Sequence, residues 1–123
     1  MHVLTIDDSP VFLAVFNELL EKFPGVSVVT SASNGVDGLA AAAERSPDIV
    51  FVDLKMPGLD GLQVTERLRQ QNPATRVVLI SLLEDEACRQ GAVAAGAERF
   101  VSKGSLFLHL PAILEPHRRV RVE

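Results

Sequence analysis

Ile49-Val50-Phe51-Val52-Asp53-Leu54-Lys55-Met56-Pro57-Gly58 sets the architecture of this 123-residue chain. Four apolar residues, β-branched or aromatic, run straight into a lone carboxylate, and a Pro-Gly turn follows. A continuous apolar run of this length between turn signals suits a strand buried on both faces, the kind found in parallel α/β sheets. Asp53 then falls at the carboxyl end of that strand, where open α/β sheets place their functional groups. Two readings of Asp53 stand at this point. It ends a strand and caps a turn, or it carries chemistry.

Upstream of that segment, Val36 to Arg45 has Val36, Leu39, Ala40 and Ala43 at helical spacing, and Ser46-Pro47-Asp48 closes the helix ahead of the strand. Val26 to Ala32 reads as a strand, set off by an Asn34-Gly35 turn. Val3 to Ile6 reads as the first strand and stops at Asp7-Asp8-Ser9-Pro10. Ser9 is a good N-cap and Pro10 suits the first helical position of a helix reaching about Phe23. Phe12, Phe16, Leu19, Leu20 and Phe23 share one face of that helix; Asn17, Glu18, Glu21 and Lys22 share the other.

Downstream, Gly61 to Gln71 reads as a helix stopped by Asn72-Pro73, and Arg76 to Ile80 as a buried strand ending at Ser81. A helix from Glu84 to Ala95 opens on Glu84-Asp85-Glu86, acids suited to the positive end of the helix dipole, and stops at Gly96. Arg99 to Val101 is a short fifth strand. The loop Ser102-Lys103-Gly104-Ser105 and a helix from Leu106 to Glu115 follow, with Pro111 inside that helix. Residues 117–123 read as a polar tail or the start of a linker, and residues 1–116 as one domain. Strand and helix alternate five times. That pattern predicts a doubly wound α/β fold: a five-stranded parallel sheet in the order 2-1-3-4-5, flavodoxin-like, with helices on both faces.

Composition narrows the function. A net charge of −4 argues against a surface that binds nucleic acid directly, which needs a basic patch. The single cysteine, Cys88, permits no internal disulfide, and with no secretory signal or membrane-length apolar run the expected location is cytoplasmic. His2, His109 and His117 are scattered without metal spacing.

The predicted fold brings Asp7, Asp8 and Asp53 to one sheet edge. Carboxylates gathered there repel one another unless a hard cation joins them; Mg²⁺, or Mn²⁺ in its place, takes carboxylate oxygens and often bridges to a phosphate. Ser81 and Lys103 end or follow the fourth and fifth strands, adding a hydroxyl and an ammonium to the same rim. A carboxylate nucleophile, a metal site, a hydroxyl and a cation are the parts needed to move a phosphoryl group onto an aspartate. Each residue also has a plainer reading: Asp7 as a helix cap, Ser81 as a strand-end serine, Lys103 as a solvated loop lysine.

In the order and spacing of Asp7-Asp8, Asp53 with Met56-Pro57-Gly58, Ser81 and Lys103, the chain resembles the receiver domain of bacterial two-component response regulators. The resemblance covers essentially the whole chain. It implies that Asp53 accepts a phosphoryl group from a sensor histidine kinase or a histidine phosphotransfer protein. It implies that Asp8 and Asp53 ligate Mg²⁺ directly, with Asp7 acting largely through water and the Lys55 backbone carbonyl adding an oxygen. Ser81 and Lys103 would contact phosphoryl oxygens. Phe100 would be a switch aromatic that turns inward as Ser81 moves, altering the face built from helix 4, strand 5 and helix 5. That face, with Leu106-Phe107-Leu108 opening helix 5, is also an expected homodimer contact. The output, transcription among others, is not encoded in these residues, and the chain is expected to catalyse nothing beyond its own phosphorylation and dephosphorylation.

Some positions depart from the family pattern. Gly104 follows Lys103 where Pro is commoner, Leu82 stands beside the incoming phosphoryl group where the family usually has Ala or Gly, and Phe100 lacks a hydroxyl. Leu82 keeps open an alternative, a degenerate receiver that binds partners without phosphorylation. An aspartate-nucleophile phosphatase is disfavoured because Lys55 occupies the place of its second Asp. A flavodoxin-like cofactor module is disfavoured because Asp7-Asp8 would repel a phosphate after the first strand. Lys55 and Leu83 are further expected to prolong the acyl phosphate, Lys55 by pairing with it and Leu83 by excluding water.

Overall fold

The computed structural model describes residues 1–83 and 85–115. Its elements are β1 His2–Ile6, α1 Pro10–Glu21, β2 Val28–Ala32, α2 Gly35–Arg45, β3 Ile49–Asp53, α3 Gly61–Gln71, β4 Arg76–Ser81, α4 Glu86–Ala95, β5 Arg99–Ser102 and α5 Leu106–Leu114. The strands pair in parallel in the order β2-β1-β3-β4-β5, as the sequence predicts. The tail from 117, with His117, and Glu84 lie outside the described residues.

β3 is buried along its whole length, as its unbroken apolar run requires. Side chains alternate across the sheet and feed two cores. Leu4, Val50, Val52 and Leu79 pack with Ala42 of α2, Val64 and Leu68 of α3 and Ala92 of α4. Val3, Ile49, Phe51 and Ile80 pack with Phe16 and Leu20 of α1 and Leu106, Leu110 and Ile113 of α5. Helices therefore cover both faces: α2, α3 and α4 on one, α1 and α5 on the other.

Caps place the helix starts. The Ser9 side chain accepts from the Phe12 N–H, with Pro10 in the first turn. Asn34 caps α2 and Asp60 caps α3, the latter with Gln63 in a reciprocal capping box. Two element starts differ from the sequence reading by two residues. β2 begins at Val28 because the Val26 and Ser27 N–H groups are taken by Phe23 and Met1 carbonyls. α4 begins at Glu86, because Asp85 is not in its first turn but caps it, accepting from the Cys88 N–H at 2.8 Å.

Arg76 ties the end of the fold together. Its guanidinium makes two bonds to Glu98, at 2.8 and 2.6 Å, and a third to the Ile113 carbonyl of α5 at 2.8 Å. The Glu98 hydrogen bond also raises the Arg76 pKa. Bidentate, charge-assisted bonds of this kind are the stronger ones, although partial exposure screens the pair. Arg76→Met, which keeps the aliphatic stem, is expected to lower stability by about 1–2 kcal/mol in urea unfolding; an unchanged midpoint would show that the clip adds nothing.

Candidate functional site

Parallel register gathers the predicted residues. Ile6 pairs with Val52, Asp53 with Ile80, and Ser81 with Ser102. Asp7, Asp53, Ser81 and Lys103 therefore stand within two residues of the same level across the strands, at their carboxyl ends. Asp7, Asp8 and Asp53 each place a carboxylate oxygen within 4.8 Å of the others. Asp7 and Asp53 are buried, whereas Asp8 is exposed.

Asp7 does two jobs. Its Oδ1 accepts from the Ser9 N–H at 2.8 Å, which supports the turn into α1, while Ser9 and not Asp7 caps the helix. Its Oδ2 lies 2.8 Å from Lys103 Nζ. That ammonium approaches outside hydrogen-bond angles, so Oδ2 is buried without a directed donor. Lys103 Nζ is 3.8 Å from Asp53 Oδ1, nearer to Asp7 than to Asp53. The position of Lys103 is fixed through its backbone: its N–H donates to the Ser81 carbonyl at 2.7 Å.

Burial pushes the Asp53 carboxyl up from 3.8 to about 6, and the charge of Asp7 pushes the same way. Lys103 opposes the shift, Asp8 adds to it, and the Lys55 backbone N–H pulls it back by hydrogen bonding to the carboxylate. The cluster is thus short of positive charge. Three carboxylates, one of them with a buried oxygen lacking a directed donor, form an all-oxygen set that fits a hard divalent cation such as Mg²⁺ or Mn²⁺.

The family model for the response regulator receiver domain matches residues 3–115. The chain belongs to the response regulator receiver family. Among its relatives, a protein-glutamate methylesterase/protein-glutamine glutaminase of Methanospirillum hungatei is 38% identical over 99 residues, 79% of this chain and 28% of that protein. The nitrate/nitrite response regulator protein NarL of Escherichia coli is 34% identical over 101 residues, 82% of this chain and 47% of that protein. The chain thus spans less than half the length of these relatives. The crystal structure of the response regulator domain of Thermotoga maritima CheB superposes with a TM-score of 0.82 at 28% identity, covering 94% of this chain and 91% of that one.

In this receiver the carboxyl edge of the sheet opens into a cleft of about 910 Å³. Asp8, Asp53, Ser81 and Lys103 all line it, as do Leu82 and Leu83, both largely exposed. Ser81 is buried, and its Oγ accepts from the Leu83 N–H at 3.2 Å. Lys55 stands exposed at the rim, and its charge is felt by Asp85. Cys88 also lines the cleft, and the Asp85 carboxylate bonded to it pushes its thiol pKa up. Phe100 does not reach the cleft lining. Its ring is buried in the core under Arg89, whose Cζ lies 5.4 Å from the ring centroid. His2 Nε2 is engaged with Thr30 Oγ1 at 2.9 Å, and His109 is exposed on another face. Among the described residues, no helix is long and apolar enough to cross a membrane.

The sequence reading missed the apolar wall of the cleft. Val11 and Val15, largely exposed, line it together with Phe12, Phe107 and the two leucines. Their i, i+4 spacing on α1, in line with Glu18 and Lys22 on its outward face, was the available signal.

Proposed function

We propose that this receiver accepts a phosphoryl group on Asp53 from a phosphohistidine of a sensor kinase or phosphotransfer protein. The observation that carries the reading is the close set of Asp7, Asp8 and Asp53 oxygens with the Lys103 ammonium inserted between Asp7 and Asp53. An Asp53 carboxylate oxygen attacks phosphorus; the new P–O bond forms as the P–N bond breaks, and the imidazole leaves with the electron pair and takes up a proton. Asp7, Asp8, Asp53 and the Lys55 carbonyl would hold Mg²⁺, which supplies charge neutralisation of the phosphoryl oxygens. Lys103 and the Ser81 hydroxyl each bond a phosphoryl oxygen, stabilising charge that builds during transfer.

The product adds about two negative charges at one side chain. Ser81 then releases Leu83 and turns toward the phosphoryl group. Movement of that loop alters the support of Phe100, and the face of α4, β5 and α5 changes with it to control an output or a homodimer contact. Phe107 and Leu108 of α5 are exposed and available to such a contact, whereas Leu106 is buried in the core. The domain acts in the cytoplasm, without binding nucleic acid through these residues, and its chemistry is confined to its own phosphorylation and dephosphorylation.

The deciding experiment is mass spectrometry after incubation with a phosphodonor and Mg²⁺. One phosphoryl group mapped to the Asp53 peptide is the expected result. Labelling elsewhere, or none from either a kinase or phosphoramidate, would favour a phosphorylation-independent interaction module, a reading to which the exposed Leu82 in the cleft lends its weight.

Lys55 and Leu83 flank the path of hydrolytic water and set the lifetime of the acyl phosphate. Removing an ammonium within reach of the phosphoryl group costs on the order of 1 kcal/mol when the site is half-exposed, so Lys55→Asn should shorten the lifetime about fivefold. A loss-of-label time course reads this directly, and equal half-lives would remove Lys55 from the mechanism.

A further inference from the structure

Lys103 is held by more than carboxylates. Its Nζ lies 4.3 Å from the centroid of the Phe12 ring, well inside the range of a cation–π contact. The ring is itself braced. Phe12 and Phe16 pack at 5.3 Å between centroids, and Phe16 meets Phe51 edge-on at 5.1 Å. Phe51 lies two residues before Asp53 on β3, so strand alternation puts both side chains on the same sheet face. A continuous aromatic stack therefore runs from the acceptor strand, through α1, to the ammonium that serves the acceptor.

The contact has a physical consequence for Lys103. An ammonium on a four-carbon stem has many rotamers, and the open cleft offers it water. The Asp7 oxygen attracts it but gives no hydrogen-bond direction, since the approach lies outside hydrogen-bond angles. The negative face of the Phe12 ring supplies the missing constraint from the apolar wall. It adds attraction without adding a competing carboxylate.

We infer that Phe12 is a positioning residue that holds the Lys103 ammonium at the acceptor site through its ring face. The inference rests on the phospho-acceptor reading of Asp53. Phe12 touches no reacting atom and acts only through Lys103. Loss of its ring lets the ammonium swing into the cleft, and phosphoryl uptake slows.

The test replaces Phe12 with mono-, di- and trifluorinated phenylalanines, which keep size and packing while stripping the ring face of negative potential. Phe12→Leu is made alone and with Lys103→Met. Uptake rates are measured with phosphoramidate and Mg²⁺. Rates should fall stepwise with fluorination and by about 2- to 30-fold in Phe12→Leu, the range that cation–π strengths span. In the Lys103→Met background, Phe12→Leu should have no further effect. Equal rates across the fluorinated series, or the same loss from Phe12→Leu with and without Lys103, would overturn the inference. If the wild type takes up no phosphoryl group, the phospho-acceptor reading fails by itself. The same four proteins then give the Phe12–Lys103 coupling from urea unfolding. A coupling that disappears on fluorination keeps the contact, and additive effects reject it.

Discussion

Asp53→Asn is expected to end phosphoryl uptake and, in the metal-free protein at pH 7.5, to raise stability by about 1–3 kcal/mol. The amide offers no anionic oxygen, so the proposed nucleophile is gone. The gain in stability follows from the raised carboxyl pKa, about 6 in the folded protein against 3.8 as its ordinary value. An acid whose pKa is raised on folding binds more protons when folded, so stability falls as pH rises through the window from about 4 to about 6. Above that window the folded protein carries the whole penalty of a buried charge beside Asp7. A shift of roughly two units, in which the attraction to Lys103 is already included, amounts to about 3 kcal/mol at most. Below pH 4 Asp53 is protonated in both states and the advantage of Asn disappears. Urea unfolding in EDTA at pH 7.5 and pH 4 checks both limbs. Excess Mg²⁺ should narrow the difference at pH 7.5, because binding to the folded wild type stabilises it by mass action. A variant no more stable than wild type at pH 7.5 in EDTA would mean that the acidic cluster is not under electrostatic strain.

Gly61→Ala is expected to cost about 3 kcal/mol or more, at the upper end of what overpacking does, because the clash is with backbone. A Cβ there would lie against the Asp53 carbonyl oxygen and 2.7 Å from both Leu54 Cα and Leu79 Cδ2. Gly61 opens α3, and its N–H donates to the Leu54 carbonyl at 2.8 Å, so the helix start rests directly on the turn after Asp53. Either α3 moves off the sheet or the acceptor turn is displaced. The acceptor should therefore lose activity even where the fold survives at low temperature. Gly104→Ala is the control, since nothing lies within 4 Å of its Cβ, and a change within about 0.5 kcal/mol is expected. Similar midpoints for the two variants would refute the close-approach argument.

Much of the molecule was legible in the residues. The apolar run at Ile49 to Val52, the Ser9-Pro10 helix start and the Asn34-Gly35 and Asn72-Pro73 breaks are local signals, and each marks an element that is present. Strand ends were legible too. In a parallel sheet the carboxyl ends share an edge, so Asp7, Asp8, Asp53, Ser81 and Lys103 could be brought together from strand order alone. The start of α4 was misplaced because a run of acids favours a helix N-terminus without saying which acid lies outside it. The hydrogen bond from the Cys88 N–H to Asp85 makes that choice.

What the sequence by itself determined was the alternation of elements, the sheet order and the chemical types at the rim, because those depend on side-chain periodicity and chain topology. Tertiary structure alone decided which charges meet and at what distance. Lys103 sits closer to Asp7 than to Asp53, over the ring of Phe12, and Phe100 is packed under Arg89 in the core. Contacts of this kind join residues far apart in the chain, and differences of an ångström or less in strand twist and helix seating set them. Periodicity carries no information at that scale. Asp53 stands at the end of a buried strand by virtue of its neighbours in sequence. Its raised pKa and its cation come from neighbours in space.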